Sequence, residues 1–274
     1  MNYIETTICA GAAQPFRFLH ISDQHLALAD DRDDPRKREL AARRVKGFPH
    51  AASDLAEAAR VARENGGMIC HTGDLIDFVS AANLDVARKF MSENDVFFTA
   101  GNHEFSQYVG EAFEDAPYRA QSLERVQAAF PADIRFCARV INGVKLIGID
   151  DGYYLFDRPQ LDALRREAAD GLPIVLFLHN PLYTPALYRA AMAQEACAYL
   201  VAVPEPLMQG YDDYRYRQQL ADDVTRETVE FIEHCPQIRA IFTGHLHYDF
   251  ESVVADRLPQ FTTGVRSMRM VTVT

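Results

Sequence analysis

A chain of 274 residues that is 48% hydrophobic can form one large domain or two small ones with a sizeable core. Its formal charge of −11 comes from dispersed acidic residues, which excludes a broad nucleic-acid-binding face and attraction to anionic membrane surfaces. The five cysteines, Cys9, Cys70, Cys137, Cys197 and Cys235, are odd in number and form no CxxC pair, so they read as reduced thiols.

Residues 1–14 carry a short apolar patch around Ile8 but neither the basic start nor the long apolar stretch of a signal peptide. No later segment reaches membrane-spanning length. A cytoplasmic protein is expected. The run from Phe16 to Ser22 predicts a strand, and the charge-rich segment Asp30 to Lys46 reads as a solvated loop or exposed helix face. Ser53 to Asn65 has helical spacing, with Ser53 or Asp54 as N-cap and Gly66-Gly67 as the stop. A strand ending at Gly73, a helix over Ala81 to Asn94 and a strand ending at Gly101 follow.

This alternation is the pattern of a parallel or mixed sheet covered by helices. Val140 to Ile149 alternates about Asn142-Gly143, a hairpin signal, and Arg158 to Ala169 predicts a helix opening near Pro159. The segment Phe250 to Thr274, rich in Val, Thr and Phe, is expected to add antiparallel strands. Between them, Asn180 to Asp223 holds Tyr183, Tyr188, Tyr199, Tyr211, Tyr214 and Tyr216 with four prolines. Long irregular connections in compact domains are usually functional or disordered, and aromatics at this frequency oppose disorder. An ordered cap beside a site is one reading. Tyrosines packing onto the domain or onto a dimer partner are the other.

Chemistry-bearing residues recur at the downstream ends of the apolar runs: Asp23 and His25, Asp74, Asn102 and His103, His179, and His245 and His247. Loops leaving the carboxyl ends of strands in open α/β sheets form the ligand crevice, so these residues can converge on a metal site. Mixed nitrogen and oxygen donors suit Mn, Fe, Zn or Co better than Ca or Mg. Asp74 has two carboxylate oxygens with which to bridge two ions, and Gly73 lets the backbone come close. Two divalent ions against Asp23 and Asp74 leave about +2, which favours an anionic substrate.

The segments SDQH, GDLID, GNHE, LHN and GHLH, in this order from about Phe16 to past His247, resemble the signature of the calcineurin-like metallophosphoesterases. The resemblance implies an α/β fold: a four-layer α/β/β/α sandwich of two mixed sheets with a dimetal site at strand ends. A single domain is expected over residues 1–274, with the Tyr-rich segment at about 180–223 as a cap inserted in it. Asp23, His25 and His247 would hold one metal ion, Asn102, His179 and His245 the other, and Asp74 would bridge them. His103 would be the catalytic histidine. His20 and His71 are left structural roles, and His50 and His234 lie outside the motifs.

Two departures narrow the substrate class. Leu75-Ile76-Asp77 follows Gly73-Asp74, so the Asp-Arg-Gly of the protein serine/threonine phosphatases is missing, as is the tyrosine ligand of purple acid phosphatases, whose place Asp77 takes. What remains looks most like the small bacterial branch of cyclic-nucleotide phosphodiesterases and broad-specificity phosphoesterases. Asp77 itself is either an acceptor for a metal-bound histidine or a carboxylate at a helix N-terminus. The expected reaction is hydroxide attack on the phosphorus of a small phosphomonoester or phosphodiester, such as a nucleotide. A metal-dependent nuclease and a non-catalytic scaffold of the same fold are the alternatives. The charge of −11 counts against the first, and the filled motif positions against the second.

Overall fold

The computed structural model describes residues 1–274. Strand β1 (Asn2–Ile8) precedes β2 (Phe16–Ile21), and helices α1 (Pro35–Arg44) and α2 (Ala51–Asn65) lead to β3 (Met68–His71). Helix α3 (Ala81–Glu93), β4 (Asp95–Phe98) and the short helices α4 (Ala116–Ala120) and α5 (Leu123–Gln127) follow. The hairpin β5 (Phe136–Ile141) and β6 (Val144–Ile149) turns through Asn142 and Gly143, both at positive φ, the primed geometry that suits strand twist. Helix α6 (Arg158–Ala168) leads to β7 (Ile174–Phe177), and α7 (Pro185–Met192) and α8 (Asp213–Gln219) lie in the Tyr-rich segment. Helix α9 (Asp223–His234), β8 (Ile238–Thr243), β9 (Phe250–Val254), β10 (Leu258–Thr262) and β11 (Ser267–Val273) complete the chain.

One sheet has the order β1-β11-β2-β3-β4 and the other β5-β6-β7-β8-β10-β9. Within them β2, β3 and β4 run parallel, as do β6, β7 and β8. Strand faces alternate to match: on β7, Val175 and Phe177 point between the sheets, while Ile174 and Leu176 meet α6 and α9. The layer between the sheets holds Phe18, Phe97, Phe177, Phe242 and Phe261, with Phe177 stacked on Phe242 at 5.5 Å. Each such burial stabilises by roughly 1.5–3 kcal/mol. Helices α2 and α3 cover the other face of the first sheet. The layering is therefore α/β/β/α, as expected.

Two local expectations change and one strand was not anticipated. Strand β1, too polar to announce itself, pairs in parallel with β11. Helix α2 starts two residues before Ser53, with His50 at the cap position and Ser53 Oγ donating to the His50 carbonyl. Strands β9 to β11 are not uniformly antiparallel: β9 is antiparallel to β10, β10 runs parallel to β8, and β11 crosses to the other sheet and lies antiparallel to β2. No helix is long and apolar enough to cross a membrane.

Candidate metal centre

The parallel strands β2, β3 and β4 of one sheet and β6, β7 and β8 of the other end at the same edge of the sandwich. The loop after β2 keeps pairing with the loop after β3, through Asp23 N–H to Gly73 O (3.1 Å) and His25 N–H to Asp74 O (2.8 Å). Asp23, His25, Asp74, His245 and His247 all have positive φ. Such backbone costs of order 1–3 kcal/mol per residue and persists where surroundings impose it. Glycines permit the close approach: a Cβ at Gly73 would overlap the Gly101 backbone, and one at Gly101 would overlap Asp74 Oδ1.

All eight site residues named from the sequence come together. His25 Nε2 lies 3.0 Å from His247 Nε2 and 3.7 Å from Asp23 Oδ1. His179 Nε2 lies 3.2 Å from Asn102 Oδ1 and 3.1 Å from His245 Nδ1. Asp74 Oδ2 stands between the groups, 3.6 Å from His25 Nε2 and 3.3 Å from His179 Nε2. Its partner oxygen Oδ1 accepts the His103 N–H at 2.8 Å, so Oδ2 is the oxygen that faces both histidine groups.

The donor set fits metal ions. Donors about 2.1 Å from one ion stand about 3.0–3.4 Å from each other, close to the spacings observed. Asp23 Oδ1 is buried without any hydrogen-bond partner, while Oδ2 accepts the His245 N–H at 2.9 Å. A buried orphan carboxylate oxygen is costly unless a cation meets it. The far ring nitrogens are anchored: His25 Nδ1 donates to Asp77 Oδ1 (3.1 Å) and His179 Nδ1 to the Thr72 carbonyl (2.6 Å). Since those acceptors cannot donate, each Nδ1 carries the hydrogen, and each Nε2 is the nitrogen left to coordinate an ion once deprotonated. His245 Nε2 shares a hydrogen bond with Tyr154 OH at 2.7 Å, leaving Nδ1 for the centre.

Charge tells the same story. Burial opposes a proton on His25, yet Asp23 and Asp77 push its pKa up to about 10, and Asp74 does the same for buried His179, also to about 10. Burial likewise opposes ionisation of Asp23 and Asp74, but the imidazoles hold both below the usual carboxylate range. The buried carboxylates thus draw positive charge to the point where the imidazole nitrogens converge, and an ion bound there would displace the imidazole protons. His103 differs from the other histidines. Its Nδ1 donates to the Asp77 carbonyl at 2.8 Å and its ring lines the open cavity. It also offers a nitrogen within 4.8 Å of His25 and Asp74, so proximity alone does not separate a ligand from an acid.

One supporting residue, Asp77, was named from the sequence, and several others were not. Asp77 is buried four residues ahead of α3's first residue, with Ser80 capping that helix, which selects the histidine-acceptor role over the helix-terminus one. Its other partner is Arg44, whose Nε donates to Oδ2 at 2.6 Å, so the charge-rich segment does contribute to the site. Phe48 stacks on His25 at 4.1 Å. Glu104 accepts from the N–H groups of Asp74 (2.7 Å), Leu75 (2.8 Å) and Gly101 (2.7 Å), tying two ligand loops together. Burial and the Asp74 carboxylate push Glu104 up to about 7. Asp151, after β6, accepts from the N–H groups of His179 (2.8 Å) and Asn180 (3.0 Å), and burial raises it to about 7 as well. His20 and His71 stay outside: His20 bonds Thr72 and Thr263 side chains, and His71 Nδ1 accepts from Gly73 N–H.

The Tyr-rich segment folds against its own apolar cluster of Leu187, Ala191, Ala198, Leu200, Val203 and Met208. Its tyrosines divide. Tyr188 and Tyr216 donate to Leu207 O and Glu205, and Tyr211 accepts from the Ala198 N–H, so these three brace the segment. Tyr199 and Tyr214 instead face a cavity of about 680 Å³, whose lining includes Asp74, Asn102, His103, His245 and His247.

The family model of the calcineurin-like phosphoesterases matches residues 16–249, and the chain belongs to that family, whose members are metal-dependent phosphoesterases with dimetal centres. In fold it is similar to a dimetal phosphatase from Danio rerio, at 13% identity and TM-score 0.52, covering 92% of this chain and 88% of that one. It is also similar to a purple acid phosphatase from yellow lupin, at 10% identity and TM-score 0.52, covering 93% of this chain but only 44% of the lupin chain. At these identities the likeness is one of fold. No curated protein matches the sequence.

Proposed function

We propose that this protein is a dimetal hydrolase of small phosphate esters. Asp23, His25 and His247 would hold one ion, Asn102, His179 and His245 the other, with Asp74 Oδ2 shared. Bound there, two transition-metal ions would bring the pKa of water toward about 7 and stabilise charge on the attacking and leaving oxygens. The observation that supports this reading is the convergence of donors from five loops of two sheets around Asp74 Oδ2. His103, its Nδ1 tied to the Asp77 carbonyl, keeps Nε2 as the atom to give a proton to the departing oxygen. The segment at 180–223 acts as a cap of a single domain and walls the cavity in which the leaving group would sit. A cytoplasmic location suits the five free thiols.

The test is a panel of phosphomonoesters, phosphodiesters and cyclic nucleotides, assayed after chelation and reloading with Mn, Fe, Co or Zn, with metal content measured in parallel. Turnover of small esters with two ions per chain is the expected result. Two ions without turnover on any ester would favour the scaffold reading, and preferential cleavage of DNA or RNA the nuclease reading.

A further inference from the structure

We propose that Arg215 reads a second negative charge on the substrate, carried by the leaving group at a distance from the scissile phosphorus. This rests on the phosphate-ester reading above. Of the 18 residues lining the cavity, Arg215 is the one lysine or arginine. It enters from α8 and is half-buried between two phenol rings, with Cζ 4.9 Å from the Tyr199 ring centre and 5.1 Å from that of Tyr214. Tyr199 in turn packs edge-on against His245, ring centres 6.0 Å apart. The guanidinium therefore stands one aromatic ring away from the donor cluster. It is positioned to meet a distal group.

Its guanidinium forms no ion pair, although Glu114, Glu195 and Asp212 line the same cavity. Nη1 donates to a neutral acceptor, Gln218 Oε1, at 2.7 Å, and Gln218 Nε2 relays the chain to Glu114 Oε2 at 3.1 Å. An amide thus stands between cation and carboxylate, fixing the guanidinium without neutralising it. Glu114 is anchored by Ser106 Oγ at 3.2 Å, and Tyr214 OH donates to Ala112 O at 3.3 Å, so the arginine's mount is fastened to the loop that follows His103. A planar guanidinium held between aromatic faces, partly shielded from water, binds phosphate or carboxylate oxygens in a fork geometry and has little else to do there. The arginine that follows the GD motif in the protein phosphatases is absent here, and Arg215 comes from a different element at a different distance.

The experiment measures affinity rather than turnover, which separates its outcome from that of the phosphoesterase reading. Manganese-loaded wild type, Arg215→Met and Arg215→Lys are titrated calorimetrically with methylphosphonate, with alkane bisphosphonates and with carboxyalkyl phosphonates of increasing chain length. Methionine keeps the packing stem, and unchanged affinity for methylphosphonate reports that the metal centre and fold are intact. Wild type should bind at least one doubly anionic series roughly tenfold or more tighter than methylphosphonate, the scale of a charge-assisted pair. That advantage should vanish in Arg215→Met and return in part in Arg215→Lys. The two series distinguish a distal phosphate from a distal carboxylate. The proposal is overturned if wild type shows no advantage, if Arg215→Met keeps it, or if Arg215→Met weakens methylphosphonate equally, which would assign the arginine to the scissile phosphoryl or to the fold.

Discussion

At the scale of single residues the site depends on groups that touch no ion. Asp77 orients His25 and is itself held by Arg44, with burial opposing its charge and the two cations keeping it well below the usual carboxylate range. Asp77→Asn should therefore weaken metal binding about 10–100-fold, measured by competition with a chelator. Unchanged affinity would remove Asp77 from the site. His103 should behave in the opposite way. His103→Ala is expected to retain both ions yet lose turnover by roughly 10²–10⁴-fold, with the loss growing as the leaving group becomes more basic. Comparison of nitrophenyl, phenyl and alkyl esters checks this. Equal losses across the series would leave a charge-stabilising role alone, and loss of metal would make His103 a ligand.

At the scale of elements, the loops must interpenetrate, and glycine makes that possible. A methyl at Gly101 would overlap Asp74 Oδ1 and sit 2.8 Å from His179 Cε1. Gly101→Ala should lower stability by about 1–3 kcal/mol and displace both side chains; a denaturant midpoint and metal content equal to wild type would show that the loops yield freely. Much of this level was legible beforehand. Short apolar runs followed by histidine or aspartate marked β2, β3, β4, β7 and β8 and the loops beyond them, because buried parallel strands are apolar on both faces. Strand β1 was not legible, since its inward positions Ile4, Thr6 and Ile8 include a polar threonine and only Ile8 is fully buried, which leaves a weak alternation. Arg44, Glu104 and Asp151 were equally hidden. Each earns its role by a contact 33, 30 or 28 residues away with Asp77, Asp74 or His179, and nothing local distinguishes such a side chain from a solvated charge. The tyrosines of 180–223 were ambiguous because composition does not separate those that brace the segment, Tyr188, Tyr211 and Tyr216, from those that line the cavity, Tyr199 and Tyr214.

For the whole molecule, the donor loops come from both sheets: Asp23, His25, Asp74 and Asn102 from one, His179, His245 and His247 from the other. Ions held between them link the two halves of the sandwich. Ions that bind only the folded state at about a thousand times their Kd would add about 4 kcal/mol, worth on the order of ten degrees in Tm for a chain of this size. Scanning calorimetry before and after chelation measures this. Superimposable transitions would mean that the centre holds no ion tightly under those conditions.

The position of β11 between β1 and β2 has a consequence for how the chain is born. As the ribosome extends the polypeptide, every candidate ligand emerges before residue 267, yet β1 has no partner in its sheet, and β2 one bare edge, until β11 arrives. The nascent protein therefore carries all its chemistry while an apolar sheet edge, including Phe18 and Leu19, is still open to any passing strand. A chain stopped after residue 264 should lose none of the candidate ligands and still collect in the insoluble fraction, with solubility restored when a peptide of residues 265–274 is co-expressed; a soluble, metal-binding truncation would show that the remaining strands close the sheet by themselves.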